Sequence, residues 1–462
     1  MAGLTYLLPS QPVEDVEQYL RGGGGEGLRT ARLMGPQTTM DEVADSGLRG
    51  RGGSGFPTAR KWASVRDAGS GTVYVVANAA EGEPATFKDR TLIRRDPYRI
   101  VEGLAIAALA IGATEAFIAT KRSFIRELGR LREAVDALTD IGLLEGLRVT
   151  VVEGPGEYLF GEEKALLEVI EGRDPLPRLL PPWQHGLFAT VPIGWEAGSR
   201  SDDFPVSNPT LVNNAETLAS VAHILARGAL WFRSMGTVDA PGTLLVTVVG
   251  AVAHPGVVEV EMGTSLNEVL ALCGGPLPGR QLVAALSGVS NQVLLAADFD
   301  VPLTYEDMAA RGTALGAAGF AIYDDSADMV SVTREFSRFL AVESCGQCPP
   351  CKSGSMAITE RLAAIDDGRG TDADLGAIAA SLRTVTDANR CYLGTEELNV
   401  VSSMLRAFPE AFAQRIEGVT GSSGAVLIPL VVDIADDGTV TYDERHASKL
   451  PDWTYAPSDP TR

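Results

Sequence analysis

Four of the five cysteines are spaced for metal or iron–sulfur chemistry. Cys345, Cys348 and Cys351 are each separated by two residues, and Cys391 follows after a long gap. Thiolates are the soft ligands that iron–sulfur clusters need, and three near ligands with one remote ligand suit a cubane of four irons. Structural zinc more often takes two C-x2-C pairs. The sequence therefore favours a [4Fe–4S] cluster over zinc, and zinc over simple packing.

Three neighbours shape the loop that carries the first three cysteines. Pro349 and Pro350 remove backbone donors and stiffen the chain, and Gly346 lets the backbone approach inorganic sulfide. Cys273 stands alone and is expected to be a small core residue. The expected cluster site is a rigid turn completed by one distant thiolate.

A glycine-rich segment at 47–57 could hold a phosphate. Gly50, Gly52 and Gly55 satisfy G-x-G-x-x-G, but the dinucleotide fingerprint follows a strand, whereas 41–48 are predicted to be helical. Exposed backbone N–H groups can still cradle a phosphate. Positive charge close by comes from Arg49, Arg51, Arg60 and Lys61. Glycine spacing alone leaves a phosphate loop and an ordinary flexible loop equally favoured.

Acidic and amide residues stand beside other predicted elements. Glu81 and Glu83 follow a predicted strand, where ligands of open α/β sheets commonly bind. Glu162 and Glu163 begin a predicted helix, and helix capping alone would explain them. The pair Asn213-Asn214 opens another helix and could equally be a cap. None of these is specific in isolation.

The elements that must position these residues indicate an α/β fold. Apolar strands alternate with helices, which predicts a mostly parallel sheet. The expected strands are 72–77, 116–120 and 147–153, with helices from about 98, over 122–139 and over 214–235. Residues 175–209 show no periodicity and are expected to form one long surface loop.

The second half of the chain changes pattern. A hairpin from residue 243 followed by a helix at 265–272 predicts a small β-grasp-like unit that runs to about 328. From residue 331 the chain is predicted to be helical and contains the four clustered cysteines. The last forty residues hold one strand-like run, 425–434, and a polar tail.

Bulk composition excludes several classes of protein. The 462 residues are 45% hydrophobic and 21% charged, which is typical of a globular protein with room for roughly three domains of about 150 residues. The formal net charge of −21 disfavours nucleic acid and anionic membranes as partners. No metal spacing or triad involves the four histidines, His185, His223, His254 and His446.

Targeting signals are not expected. The first twenty residues have no basic region followed by an apolar run, so no signal peptide is predicted. The most apolar stretch, 100–119, contains Glu102 and Glu115 and is predicted to be a buried core helix, without direct membrane insertion. The expected location is the cytoplasm.

Taken together, five stretches resemble the NADH-binding flavoprotein subunit of respiratory complex I and the related diaphorase subunits of NAD-linked hydrogenases and formate dehydrogenases. They are GLRGRGGSGFPTARKW (47–62), NAAEGEPATFKDR (78–90), GEYLFGEEKAL (156–166), NNAETLAS (213–220) and ESCGQCPPCKSG (343–354). They cover roughly residues 40–410 in the family's order and are specific jointly rather than singly.

The resemblance implies the fold and its division. The family has an FMN-binding α/β domain, a β-grasp (ubiquitin-like) domain and a C-terminal helical bundle carrying an iron–sulfur cluster. The corresponding segments are an N-terminal segment at 1–40, the FMN and nucleotide domain at 41–236, the β-grasp domain at 237–328, the helical [4Fe–4S] domain at 329–420 and a C-terminal tail at 421–462.

The resemblance also implies site residues. The FMN phosphate and ribityl chain would be wrapped by Gly50, Gly52, Gly53 and Gly55, with Lys61 nearby. The rest of the flavin pocket would comprise Asn78, Glu81, Gly161, Asn213 and Asn214. The nicotinamide nucleotide would be bounded by Phe56, Glu83, Glu163 and Trp183, and Glu162 belongs to the same cofactor-binding set. No side chain is expected to act as an acid or a nucleophile.

This sequence departs from the family pattern at several places. The family motif NADE is NAAE here, so Ala80 replaces an acid at the flavin, and Leu180 replaces a lysine of the nucleotide loop. An insertion follows at about 189–206. The tail after about residue 421 has no clear family counterpart and could be a docking strand or an appendage.

The predicted function is electron transfer. NAD(P)H reduces FMN, and single electrons leave through the cluster to a partner iron–sulfur protein, either a thioredoxin-like [2Fe–2S] protein or a ferredoxin-type subunit, within a hetero-oligomeric complex. Because the nucleotide loop is altered, the alternative is a relay that exchanges electrons with a protein and binds no pyridine nucleotide. A zinc-containing interaction scaffold is the third hypothesis.

Overall fold

A computed structural model of the chain describes residues 3–68, 71–190, 206–421, 426–435 and 437–456. The insertion expected at about 189–206 falls almost wholly at 191–205, outside the described residues. Three units follow one another along the chain. The C-terminal segment, defined as residues 426–435 and 437–456, packs across all three.

The first unit is built on a parallel sheet of four strands in the order β3-β2-β1-β4. The strands are β1 (Tyr74–Asn78), β2 (Glu115–Lys121), β3 (Arg148–Gly154) and β4 (Thr210–Asn214). The runs of β1 and β4 are buried, as expected for parallel strands covered by helices. The sequence predicts the first three strands but misses β4, because TLVNN is short and runs directly into the helix that Asn214 caps.

Nine helices of the described residues surround this sheet. They are α1 (Val16–Arg21), α2 (Glu26–Ser46), α3 (Thr58–Arg66), α4 (Lys88–Arg95), α5 (Pro97–Ile111), α6 (Ile125–Asp140), α7 (Glu163–Ile170), α8 (Ala215–Arg227) and α9 (Ala229–Arg233). Almost every residue of α5 is buried, so its apolar sequence is that of a core helix, as predicted. Within the described parts of the chain, no helix has the length and apolar character needed to cross a membrane.

The second unit is a mixed five-stranded sheet in the order β6-β5-β9-β7-β8. It comprises β5 (Thr243–Gly250), β6 (Gly256–Glu261), β7 (Leu282–Ser287), β8 (Leu294–Leu295) and β9 (Gly319–Asp324), with helices α10 (Leu266–Leu272) and α11 (Tyr305–Ala310). The hairpin β5–β6 and the helix after it were predicted. Cys273 is fully buried in this unit's core, as expected.

The third unit is a helical bundle. It comprises α12 (Met329–Glu343), α13 (Pro349–Asp366), α14 (Asp372–Leu382), α15 (Leu393–Ala407) and α16 (Pro409–Ile416). Its apolar core divides between a cluster against the β-grasp unit and a cluster among its own helices. The helical bundle therefore packs directly on the second unit.

The C-terminal segment is ordered and forms a short antiparallel pair, β10 (Val431–Ile434) with β11 (Val440–Tyr442). Its strands share an apolar cluster with Ala85 and Phe87 of the first unit and with β5 and β9 of the second. Arg94 of α4 pairs with Asp433 at 2.6 Å. The segment then runs onto α12. It therefore fastens the three units to one another.

Candidate functional site

Polar side chains converge where β1 and β4 end side by side. The chain leaves β1 toward β2 on one side, while β4 lies on the other side, and open parallel sheets bind ligands at such a switch point. Asn78 and Asn214 are register partners at these strand ends. Asn78 Nδ2 donates to the Gly161 carbonyl at 2.7 Å, and Trp62 Nε1 donates to Asn213 Oδ1 at 2.8 Å. Four residues expected around a flavin therefore lie at one edge of the sheet.

The glycine-rich segment is a closed turn. The Gly50 N–H donates to the Phe56 carbonyl at 2.9 Å, and the Tyr305 hydroxyl donates to the Gly50 carbonyl at 2.9 Å. At Gly55 the backbone has φ +61°, and a Cβ there would lie 2.4 Å from the Tyr305 ring. Glycine is required at this position. The turn is therefore held between the first unit and the β-grasp unit.

The turn has room for a bound group beside two of its glycines. An added Cβ would lie 4.0 Å from its nearest neighbour at Gly53 and 3.6 Å at Gly50. At Gly52 the same atom would lie 3.1 Å from the Cβ of Asn214, so the turn meets the end of β4 there. The Gly50 and Arg51 N–H groups are bonded to Phe56 and Thr217, so an anionic group beside the strand end would meet the N–H groups of Gly52 and Gly53. These residues fit the phosphate and ribityl chain of FMN.

Two of the nearby cations have structural partners. The buried guanidinium of Arg51 donates to the Pro241 and Thr243 carbonyls at 3.2 and 3.0 Å. Arg49 pairs with Glu306 of α11. Both arginines thus attach the turn to the second unit, and the positive charge expected from them at a phosphate is engaged elsewhere.

Lys61 remains at an accessible position. Its Nζ lies 2.6 Å from Glu163 Oε2, and the two side chains are 21% and 31% exposed. Glu162 is the N-cap of α7, accepting from the Lys164 and Ala165 N–H groups at 2.9 Å. Burial raises the pKa of Glu162 to about 7, against the attraction of Lys164. Helix capping therefore explains Glu162, whereas the Lys61–Glu163 pair remains accessible to a ligand.

The aromatic residues expected at the nucleotide differ in exposure. Phe56 is 46% exposed, with the Arg60 guanidinium 5.8 Å from its ring centre. Trp183 is partly buried against the apolar core of the first unit. Leu180 is partly buried in the same loop. Phe56 is thus free to contact a ligand, whereas Trp183 is partly used in packing.

Glu81 is committed to the start of α4. Its carboxylate accepts from the Asp89 and Arg90 N–H groups at 3.2 and 3.3 Å and from Arg90 Nε at 3.2 Å. Burial raises the pKa of Glu81, and Arg90 opposes that shift. Glu81 therefore joins the loop after β1 to the start of α4, and its carboxylate is not free to bind a ligand.

A buried charge network that the sequence did not single out lies beneath the strand ends. Lys88 Nζ lies 2.8 Å from both Asp89 Oδ1 and Glu216 Oε2, and all three side chains are almost fully buried. Asn214 Nδ2 donates to Asp89 Oδ2 at 2.7 Å. Lys88 and Glu216 both fall in stretches that resemble the known family, which is the signal that could have found them. The network fixes the side chain of Asn214.

Glu83 joins a second unpredicted group. Its Oε1 accepts from the Val289 N–H and the Ser290 hydroxyl at 2.8 and 2.7 Å, and its Oε2 accepts from the Tyr158 hydroxyl at 2.6 Å. The Tyr158 hydroxyl also lies 3.0 Å from Glu396 Oε1 of α15. Residues of all three units therefore meet at Glu83.

Three of the four clustered cysteines lie at the starts of two helices, and the fourth lies on a loop. Cys348 is the N-cap of α13, Cys351 lies in its first turn, and Cys391 directly precedes Tyr392, the N-cap of α15. Cys345 stands on the connecting loop, where Gly346 has φ +78°. All four belong to one apolar cluster, although helices bring them from separate parts of the sequence. Helix N-termini favour the negative charge that a thiolate-bound cluster carries.

Burial raises the pKa values of three of these thiols, those of Cys345, Cys351 and Cys391. Burial raises the pKa of Cys351 to about 11, opposed by a hydrogen bond to Ser344 and reinforced by Cys348 and Cys345. Burial likewise raises the pKa of Cys391. No three His, Cys, Asp or Glu residues of the described chain are grouped to hold a single metal ion. A cubane instead takes one thiolate at each of four irons, and binding releases the thiol protons.

The C-terminal segment reaches the cysteine loop. Lys352 Nζ donates to the Ser344 and Pro451 carbonyls at 2.8 and 2.7 Å. Glu343 at the end of α12 accepts from His446 Nε2 at 3.0 Å and from Lys449 Nζ at 2.6 Å. Although burial opposes it, the bonds to His446 and Lys449 hold the pKa of Glu343 at about 2. The sequence assigned His446 no role, whereas in the structure His446 binds Glu343 and so attaches the C-terminal segment to α12.

Three family models match the chain. Residues 43–223 match the Nuo51 FMN-binding domain, residues 245–288 match the SLBB domain, and residues 331–415 match the NADH-ubiquinone oxidoreductase-F iron-sulfur binding region. The matched regions contain the strand ends, the β5–β6 hairpin and the four cysteines, respectively. The [4Fe–4S] interpretation is therefore confirmed over zinc.

Known proteins are similar along most of the chain. The F 2 subunit of NADH-quinone oxidoreductase from Rhizobium meliloti is 37% identical over 414 residues, covering 86% of this chain and 94% of that protein. NAD-reducing hydrogenase HoxS subunit alpha of Cupriavidus necator is 35% identical, covering 83% and 61%. The crystal structure of an NAD+-reducing [NiFe]-hydrogenase in the H2-reduced state matches with a TM-score of 0.74 and 32% identity, covering 89% of this chain and 68% of that one.

Proposed function

We propose, from the premise that this chain belongs to the family of NADH-quinone oxidoreductase F subunits and related hydrogenase diaphorase subunits, that the edge formed by β1 and β4 holds FMN beside an NADH site. The chain is an FMN-binding, NADH-oxidising electron-transfer protein with one [4Fe–4S] cluster. FMN, when bound, accepts two electrons as hydride and releases them singly, which is the conversion that a one-electron cluster requires.

The proposed flavin site uses backbone more than charge. Gly52 and Gly53 supply N–H groups for the phosphate, Gly50 and Gly53 leave space for the phosphate and ribityl chain, and Gly55 fixes the turn against Tyr305. The remaining members, which line or support the pocket, are Lys61, Asn78, Glu81, Gly161, Glu162, Asn213 and Asn214. The observation that carries the proposal is the convergence of the glycine turn, both strand ends and Gly161 at one edge of the sheet.

The proposed nucleotide site lies above that edge. Phe56 offers an exposed ring, and Glu83 and Glu163 offer carboxylates that can accept from ribose hydroxyls or the nicotinamide amide. Trp183 closes one side. NADH is the proposed donor because the relatives carry that name. Leu180 contributes no charge to the phosphates, so we propose that affinity depends on contacts near the nicotinamide.

The proposed exit for electrons is the helical unit. Cys345, Cys348, Cys351 and Cys391 hold the cluster, and Tyr392 beside it is 55% exposed. An accessible rim there supports docking of an iron–sulfur partner, thioredoxin-like or ferredoxin-type. The relatives are subunits of multi-subunit complexes, which supports hetero-oligomeric assembly.

The remaining assignments rest on the same grounds. We propose the domain limits 41–236, 237–328 and 329–420 for the flavin, β-grasp and cluster units, with α1 and the first part of α2 packed on the flavin unit from the N-terminal segment 1–40. A cytoplasmic location stays a prediction from the sequence.

An anaerobic titration of the holoprotein with NADH, and separately with NADPH, tests this function. Loss of the visible flavin absorbance with NADH at lower concentration than with NADPH is expected. The variant Cys391→Ser is the matched control, since its flavin should still bleach while the cluster signal in electron paramagnetic resonance is lost. A flavin and cluster that dithionite reduces but neither nucleotide reduces would refute NAD(P)H oxidation and favour a protein-fed relay.

A further inference from the structure

Four side chains from all three units form a hydrogen-bonded group next to the proposed nucleotide site. Glu83 follows β1, Tyr158 lies in the short 3-10 helix before α7, and Ser290 lies in a β-grasp loop after β7. Glu396 belongs to the first turn of α15, which begins just after Cys391. Glu83, Tyr158 and Ser290 are partly accessible, whereas Glu396 is buried. Its Oε2 is buried and has no hydrogen-bond partner.

The number of hydrogens in this group determines where a proton must reside. The Tyr158 hydroxyl carries one hydrogen, and the shorter contact, 2.6 Å, is to Glu83 Oε2. The Ser290 hydroxyl also has its shorter contact, 2.7 Å, with Glu83 Oε1, against 3.4 Å to Glu396. Both hydrogens therefore go to Glu83. The 3.0 Å contact between Tyr158 and Glu396 Oε1 needs a hydrogen from Glu396 itself.

The charges around Glu396 favour that proton. Desolvation first, and then the charge of Glu83, raise the pKa of Glu396 well above its usual value. The other groups that face Glu396 are Glu162, Tyr158 and Ser290. A charge on Glu396 also raises the pKa of Cys391. In the described part of the chain, no Lys, Arg or His forms an ion pair with Glu83 or Glu396. Two carboxyl groups that share one site rarely both ionise.

We propose that Glu396 is a positioning residue of the nucleotide site, which holds a proton and donates it in a hydrogen bond to Tyr158. Tyr158 is thereby oriented to donate to Glu83. Burial raises the pKa of Glu83 too, but the hydrogen bonds from Tyr158, Ser290 and Val289 oppose that shift. Glu83 is therefore the ionised carboxylate, which accepts these three hydrogen bonds and faces the ligand at a fixed position. Glu396 is buried and acts through Tyr158. It links the helix that follows Cys391 to the residue that bounds the nucleotide.

Ionisation of Glu396 would undo this arrangement. A second negative charge would enter a site without a cation, and the single Tyr158 hydrogen could not serve both carboxylates. The nucleotide, itself anionic, would then meet a more negative and less ordered pocket. Affinity for NADH should therefore fall as the pH rises through the pKa of Glu396, with the maximal rate less affected.

This inference rests on the proposed function, and its test compares three variants. Glu396→Gln keeps a hydrogen-bond donor without ionisation, and Glu396→Leu removes the donor. Glu397→Gln changes the next residue, a buried glutamate that accepts from Ser337 at 2.6 Å outside the group, and is the matched control. NADH affinity and steady-state kinetics of each holoprotein are measured from neutral to alkaline pH.

The pH dependence of KM for NADH should distinguish the hydrogen bond that Glu396 donates from the charge that it carries when ionised. In the wild type and in Glu397→Gln, KM for NADH rises by up to about tenfold per pH unit above the pKa of Glu396, while kcat changes less. In Glu396→Gln this slope disappears, and KM at neutral pH stays well below that of Glu396→Leu. Equal KM values in the Gln and Leu variants, or an unchanged slope in Glu396→Gln, would overturn the proposal.

A spectroscopic measurement makes the inference independent of turnover. Burial also raises the pKa of Glu397, to about 8, so infrared difference spectra of the oxidised holoprotein should show two protonated-carboxyl stretches. Glu396→Gln should remove one of them and Glu397→Gln the other. If the wild type binds no NADH, the proposed function fails. The infrared band lost in Glu396→Gln would still show whether Glu396 is protonated. Absence of any lost band in Glu396→Gln overturns the inference alone.

Discussion

Removing the ammonium of Lys88 should destabilise the flavin-binding edge strongly. Its Nζ lies 2.8 Å from Asp89 and from Glu216, and its side chain is 1% exposed. Lys88→Met would leave two carboxylates buried without their cation. Breaking a buried pair in this way costs about 3–5 kcal/mol. Because Asp89 also accepts from Asn214, weaker FMN retention should accompany the loss of stability.

The pH dependence of that loss follows from the signs of the shifts. Burial lowers the pKa of Lys88, but the surrounding carboxylates outweigh burial and raise this pKa above its ordinary value. Lys88 is therefore charged at neutral pH, and its contribution to stability is fully present there. In Lys88→Met the buried Glu216 should take up a proton, and burial already raises the pKa of this residue. The variant should therefore lose less stability near pH 5 than near pH 8, since protonation removes the unpaired charge.

Denaturant unfolding and FMN release, measured at both pH values, provide the assay. Arg311→Met is the matched control, because it breaks a half-exposed pair with Asp298 and should cost about 0–1 kcal/mol. The double variant Lys88→Met/Glu216→Gln should regain part of the loss. A Lys88→Met protein as stable as Arg311→Met, or no recovery in the double variant, would refute the reasoning.

Three further predictions concern the turn, the C-terminal segment and the nucleotide loop. Gly55→Ala should lower FMN occupancy, measured by flavin absorbance per chain, because its Cβ would lie 2.4 Å from the Tyr305 ring at φ +61°; normal occupancy would contradict this. Lys449→Met removes a buried partner of Glu343 and should cost about 3–5 kcal/mol and shorten the cluster's lifetime in chelator; an unchanged lifetime would count against it. Leu180→Lys should lower KM for NADH by about tenfold or less through one added charge at the loop, and no change would mean that the loop does not meet the phosphates.

Patterns that depend on local sequence predicted much of the fold. The alternation of β1, α5, β2, α6 and β3 was visible as apolar runs separated by amphipathic segments, and the β5–β6 hairpin as a change of period. The cysteine spacing identified the cluster because three of the thiols lie on one turn. In each case the information lies within a few consecutive residues.

Contacts between distant parts of the chain were not predictable in the same way. Arg51 looked like a phosphate ligand, but it binds carbonyls near residue 241, which no local pattern shows. Glu81 looked like a free acid after a strand, yet it caps α4. Tyr158 and Glu396 meet Glu83 only because three units pack together. The strand β4 was hidden because its last residue also begins a helix.

The C-terminal segment imposes an order on the maturation of the protein. It is synthesised after every element that it crosses, and it packs on surfaces that exist only once α4, β5 and α12 are folded. Before it docks, the three units are joined by fewer contacts, such as those of Arg51 and Glu83, and a flavin or a cluster can enter more easily. Afterwards a cofactor must enter a molecule that is fastened at several points. Cofactor insertion and docking of the C-terminal segment therefore compete in time, and slow docking favours a fully loaded protein.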